Sequence, residues 1–108
     1  MRSVAAVIVS PTARKDLERL IRSHSLPANT IERVRRSIEP LRSFPLLGAQ
    51  LHGRWADFRF VLGPWRWMII VYHWDEAADR VVIVTIQDGR TAAAVTTPRS
   101  RPGPPAGG

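Results

Sequence analysis

All eight aromatic residues of the chain (three Phe, four Trp and one Tyr) fall between Phe44 and Trp74. A chain of 108 residues can build one small core, because a domain of that size buries only about two-thirds of the surface its unfolded chain exposes. The bulkiest side chains therefore belong to whatever that single window folds into. Within it, Trp55 to Leu62 and Trp65 to Trp74 are rich in β-branched and aromatic residues. Gly63-Pro64 separates them, which predicts a hairpin closed by a two-residue type II′ turn. A third such run, Arg80 to Ile86, follows across Asp75-Glu76-Ala77-Ala78-Asp79, which reads as a second hairpin loop. The three runs predict an antiparallel meander.

The preceding residues supply what covers it. Val4 to Val9 is short and apolar, stops at Ser10-Pro11, and reads as a buried strand. Ser10 suits a helix cap, and Pro11 suits a first helical position, where no amide donor is needed. Ala13, Leu17, Leu20 and Ile21 then recur at helical spacing as far as His24-Ser25-Leu26-Pro27. A second helix starts near Asn29 or Thr30, with Ile31, Val34, Ile38 and Leu41 as its stripe, and Pro40 should end or kink it. Strand, helical hairpin and three-stranded meander in that order predict one α+β domain with the helices on one face of the sheet. Residues 1–91 are read as this domain and 92–108 as a tail. From Thr96 to Gly108 the tail holds four prolines, three glycines and no large apolar residue, a composition that predicts disorder.

The net charge of +7 is unevenly spread. Residues 1–43 hold nine basic and four acidic residues, residues 44–91 hold five of each, and the tail adds Arg99 and Arg101. Such a balance suits a polyanion or an acidic protein partner, and equally a solvated helix face. Zero cysteines exclude a disulfide scaffold, thiol catalysis and a thiolate metal site. His24, His52 and His73 lie at no ligand spacing, so no metal and no cofactor is expected. No glycine-rich phosphate loop or nucleophile elbow occurs either. The apolar run Val4–Val9 is too short for a signal-peptide core or a membrane span, which makes the cytoplasm the expected compartment.

Two stretches carry a resemblance. Val7-Ile8-Val9-Ser10-Pro11-Thr12-Ala13-Arg14-Lys15-Asp16-Leu17 looks like an opening strand and first helix start. Leu51-His52-Gly53-Arg54-Trp55, with Phe58-Arg59-Phe60-Val61-Leu62-Gly63-Pro64-Trp65-Arg66-Trp67-Met68-Ile69, looks like an L-x-G entry followed by paired aromatic-Arg strands. Over about residues 4–91 the chain resembles the RelE/ParE toxins of bacterial toxin–antitoxin modules. The resemblance implies a compact toxin held inactive by an acidic antitoxin encoded beside it. One branch of the family cleaves messenger RNA on the ribosome with basic residues and a tyrosine on the open sheet face. In the branch that poisons DNA gyrase those groups are largely missing. A degenerate member retained as a binding module is a third reading.

Side chains alternate across a strand. That parity places Trp65, Trp67, Ile69, Val71 and His73 under the helices, and Arg66, Met68, Ile70, Tyr72 and Trp74 on the open face. Arg66 and Arg59 are then candidates to grip a phosphate and stabilise a pentacoordinate transition state. The resemblance gives Arg66 the position of a phosphate-contacting arginine and Arg59 one held by a basic residue. Arg90 lies near the family's C-terminal arginine. The alternative for Arg59 and Arg66 is surface solubility or pairing with Asp57 and Asp88. Arginine does not act as a base at physiological pH, and the chain departs from the ribonuclease pattern. It has no lysine on the sheet, Val61 where a second basic residue can stand, and no tyrosine after Arg90. His52, His73, Asp57 and Tyr72 are the stand-ins, with His52 best placed, and His24 and Arg54 read as surface residues. Met68, Ile70, Tyr72 and Trp74 form an apolar strip on which an antitoxin segment, or a second copy of the chain, is expected to lie. Ribosome-dependent mRNA cleavage is the expected mode of growth inhibition, with non-enzymatic inhibition of DNA gyrase as the alternative.

Overall fold

A computed structural model describes residues 4–90. Its elements are β1 (Ala6–Val9), α1 (Pro11–His24), α2 (Thr30–Ile38), β2 (Ala49–Gln50), β3 (Arg59–Leu62), β4 (Met68–Asp75) and β5 (Arg80–Asp88), with short 3-10 turns at Glu39–Arg42 and Gly53–Trp55. The expected tail at 92–108 lies outside the described residues.

The predicted helices form for the predicted reasons. Ser10 Oγ accepts from the Ala13 amide at 3.1 Å and Pro11 opens α1. Ser25, in the left-handed region at φ 50°, closes it. Pro40 ends α2 and diverts the chain into the 3-10 turn that buries Leu41. One stripe residue departs from expectation. Ile31 is 60% exposed, because α2 rests on Thr30, Val34 and Ile38 instead.

The sheet has five strands in the order β1-β5-β4-β3-β2, so the meander is extended at both edges. β1 adds parallel to β5, with Val7 opposite Val81 and Val9 opposite Ile83. It is an edge strand rather than a buried one: Val7 and Val9 pack on the core while Ile8 faces out. The first hairpin is also wider than a two-residue turn. Leu62 pairs with Ile69, the connection runs from Gly63 to Trp67, and Gly63 donates to the Met68 carbonyl at 2.9 Å. Gly63 is not at positive φ, which a type II′ turn would require.

β4 lies in the middle and is covered on both sides. Met68, Ile70 and Tyr72, each 0% exposed, pack with Leu17, Leu20, Val34 and Leu41 beneath the helices, and Trp74 joins the rim of that core. Ile69 and Val71 form a smaller cluster with Leu51, Trp55, Phe58 and Phe60 on the other face. The expected faces are therefore exchanged. Both sets are apolar, and the parity count ran back through Trp65 and Trp67, which belong to the turn and fold over to the helix side. A register shift at Val71/Tyr72 leaves Val84 as an extra residue on β5. Helix α1 serves that bulge: Ser10 Oγ donates to the Val84 carbonyl at 3.2 Å. Asp16, only 7% exposed, accepts from Thr85 Oγ1 at 2.5 Å and the Ile86 amide at 3.1 Å.

Candidate functional site

The sequence candidates separate into two places along β4. At one end, Arg59 pairs with Tyr72. Residues directly opposite share a face, so Arg59 stands on the helix side rather than the open side. Its Nη1 donates to the carbonyls of Gly48 at 2.8 Å and Leu46 at 3.3 Å. Beside it the Tyr72 hydroxyl donates to the Pro45 carbonyl at 2.7 Å and accepts from the Gly48 amide at 2.9 Å. Burial pushes the Tyr72 phenol upward, against the opposing pull of the Gly48 amide and the Arg59 charge. A buried phenol with both lone-pair and proton engaged is a structural group, not a base. Gly48 has no room for more, since a Cβ there would lie 2.5 Å from the Phe60 carbonyl and 2.7 Å from the Tyr72 ring.

At the other end of β4, four residues away or about 13 Å along the strand, a second cluster joins α1, the first hairpin and the end of β5. Asp88 accepts from Arg90 Nε at 3.0 Å, Arg90 Nη2 at 2.9 Å and the Arg90 amide at 2.9 Å, and lies 3.0 Å from His24 Nε2. The Arg90 guanidinium, helped by its amide and by His24, holds the Asp88 carboxyl well below the usual carboxylate range. His24 stacks on Trp67 at 4.6 Å, and the Arg90 guanidinium stands 5.1 Å from the same ring. Trp67 stacks on Trp65 at 6.0 Å, and Trp65 in turn carries Arg33 at 4.6 Å. Arg66 projects from the turn between these two tryptophans and is exposed, outside any strand.

His24 is thus no plain surface residue. Its partner is 64 positions away, which sequence spacing does not reveal. Asp16 was missed as well, although its place three residues after Ala13 and four before Leu20 sets an acid on the buried stripe of α1. His73 sits on the face away from the helices, edge-on to Phe58 at 5.9 Å, the reverse of the expected side. His52 and Asp57 are exposed around the Gly53–Trp55 turn, as is Arg54. Arg59, Arg66 and Arg90 do not converge. The expected antitoxin strip is not available either: Met68, Ile70 and Tyr72 are inside the core, and Trp74 is half-buried.

Exposed apolar surface lies elsewhere. A groove of about 230 Å³ runs between α1, α2 and β5, lined by Val9, Leu17, Ile31, Ile38, Ile83 and Ile86 and edged by Arg14, Glu18 and Arg35. Among the described residues, no helix is long and apolar enough to cross a membrane, and no group of three or more His, Asp or Glu side chains is placed to hold a metal ion.

Residues 7–93 match the family model for the ParE toxin of the type II toxin–antitoxin system, parDE. Among solved structures, the chain is similar to a chain of the RelBE2 toxin–antitoxin complex of Mycobacterium tuberculosis. The TM-score is 0.60 and identity 24%, covering 79% of this chain and 98% of that one. It is similar to a conserved hypothetical protein of Helicobacter pylori, with TM-score 0.55, 18% identity and coverage of 80% and 96%. It also resembles the Escherichia coli toxin RelE, as a doubly substituted variant in the free state, with TM-score 0.57, 11% identity and coverage of 83% and 88%. No curated protein matches it in sequence.

Proposed function

Because the chain belongs to the ParE toxin family of type II toxin–antitoxin systems, we propose that it arrests growth by occupying DNA gyrase rather than by cutting RNA. The observation that supports this is the divergence of its arginines. Arg59 is committed to the carbonyls of Leu46 and Gly48 on the helix side, Arg90 is paired with Asp88 towards the opposite end of β4, and Arg66 projects from an exposed turn. With two of the three guanidiniums already engaged within the fold, a phosphate clamp of the kind RNA cleavage would use is not pre-assembled. The neutralising partner is an acidic antitoxin, as the RelBE2 complex has an antitoxin beside its toxin. With the Met68–Trp74 strip in the core, its apolar contacts fall to the α1–α2 groove, where Ile31 is exposed and Arg14 and Arg35 stand at the edge.

A second reading rests on the cluster around Trp67. Arg66 precedes Trp67 in the chain, Arg90 lies over the Trp67 ring, and His24, held by Asp88, stacks on it, so groups suited to phosphate binding and proton transfer gather around one side chain. Induced expression separates the two. Under the gyrase reading, transcripts stay intact while gyrase-linked DNA breaks accumulate. Rapid transcript loss abolished by Arg66→Ala or His24→Ala would sink it in favour of the ribonuclease. A well-folded chain without any growth effect leaves the binding-module reading.

A further inference from the structure

The segment between α2 and β2 is held more firmly than a connecting loop needs. Phe44 donates to the Pro40 carbonyl at 2.9 Å and Leu47 to the Phe44 carbonyl at 3.0 Å. Tyr72 fixes Pro45 and Gly48, and Arg59 fixes Leu46 and Gly48. Two polar side chains from the sheet thus hold three residues of this surface segment, Pro45, Leu46 and Gly48. Yet that rigid loop turns its large side chains outward: Phe44 is 62% exposed, Leu46 59% and Leu47 58%. A loop that carried only connectivity would be polar, or would fold these three inward. Pre-ordering removes the entropy of fixing them on contact, and adjacent exposed apolar side chains mark a binding surface.

The chemistry of the occupant follows from charge. A second copy brings another +7, and like charge opposes its approach. The chain's own residues 92–108 offer Val95 as their largest apolar side chain, no aromatic residue, and two arginines, so they do not match the loop. An anionic lipid surface would need cations on the loop itself, whereas residues 43–53 hold no Lys or Arg and Arg42 pairs with Glu39 at 3.2 Å. What remains is an apolar pocket on a protein of net negative charge. We infer that Phe44, Leu46 and Leu47 are the plug by which this chain engages its target protein, a surface separate from the α1–α2 groove assigned to the antitoxin. This rests on the reading that the chain acts by binding a target.

The experiment uses the full chain and its F44S/L46S/L47S variant, with Val4→Ser, also an exposed apolar change, as control. All three should melt together, because none of these side chains is buried. Purified DNA gyrase is the probe. The loop variant should need about tenfold more protein for half-inhibition, the scale of losing a binding hot spot, while Val4→Ser matches the parent. Equal inhibition by all three overturns the inference. If the parent leaves gyrase untouched, the gyrase reading fails on its own and growth arrest on induction becomes the readout. Arrest lost only in the loop variant supports the plug against another protein, and arrest retained overturns it. Co-sedimentation of the parent, but not the loop variant, with phosphatidylglycerol vesicles would also overturn it, in favour of a membrane.

Discussion

At the scale of single residues, the decisive groups are polar ones inside an apolar frame. Asp16 is the clearest: its carboxylate satisfies a hydroxyl and a backbone amide at the β5 bulge and also receives Arg19 at 2.7 Å. Asp16→Ala should destabilise by about 2–3 kcal/mol, since the Ile86 amide is left buried without a partner, and a denaturant titration reads it directly. Tyr72 gives a pH signature. Its phenol is pushed up by burial, so the folded state favours the protonated form. That contribution is fully present below the unfolded value of about 10 and is lost as pH rises through the higher folded one. Stability should fall above about pH 10 in the parent, and Tyr72→Phe should flatten that alkaline limb while losing about 1–2 kcal/mol near neutrality. As this is the chain's single tyrosine, its phenolate absorbance reports the same titration. Neither role was read from the sequence, although the spacing of Asp16 from Ala13 and Leu20 carried a signal, an acid on an apolar stripe. Tyr72 carried none, because its partners at Pro45 and Gly48 lie 27 and 24 positions away.

At the scale of elements, the helices were legible from their stripes and caps, and the hairpins were legible from their punctuation. What failed was the turn between β3 and β4. Its five residues, Gly63–Trp67, break the alternation that the strand obeys from Met68 onward, and Trp65 and Trp67 return to the helix side. The clasp they form with His24, Asp88 and Arg90 ties the C-terminal end of α1 to the end of β5. Asp88 is held low by Arg90, so its contribution is present above the ordinary carboxylate range and fades as pH falls through it. Asp88→Asn should therefore remove part of the acid-side loss of stability seen by thermal melting below about pH 4. Gly48→Ala tests the other end of β4. The added methyl group meets the Phe60 carbonyl at 2.5 Å and should cost about 1–3 kcal/mol by overpacking.

For the whole molecule, the two ends of β4 have different duties, and mutations should sort accordingly. Arg59→Ala should lower the melting temperature, because it releases the 46–48 carbonyls, and any loss of toxicity should follow that loss of fold. Arg66→Ala, at an exposed turn, should leave stability within about 0.5 kcal/mol. A loss of growth arrest in Arg66→Ala at unchanged stability would mark a contact with the target or substrate. Comparing melting curves with growth after induction distinguishes the two. The kinship with ParE toxins survives the exchange of sheet faces because it rests on element order and local motifs, neither of which depends on which face the helices cover.

The sequence by itself determined the main elements, their order and the family, since caps, periodicity and turn residues act within a few positions of one another, while the two-residue edge strand β2 carried no such signal. Only the tertiary structure decided which side of β4 the helices cover. Both of its faces are apolar, so pattern alone was degenerate, and the turn through Trp65 and Trp67 with the bulge at Val84 resolved it. The same choice sent Arg59 to the loop carbonyls, buried the Met68–Trp74 strip, and left Phe44, Leu46 and Leu47 as the rigid apolar surface. Contacts between residues tens of positions apart are set by packing, and packing is a property of the assembled chain.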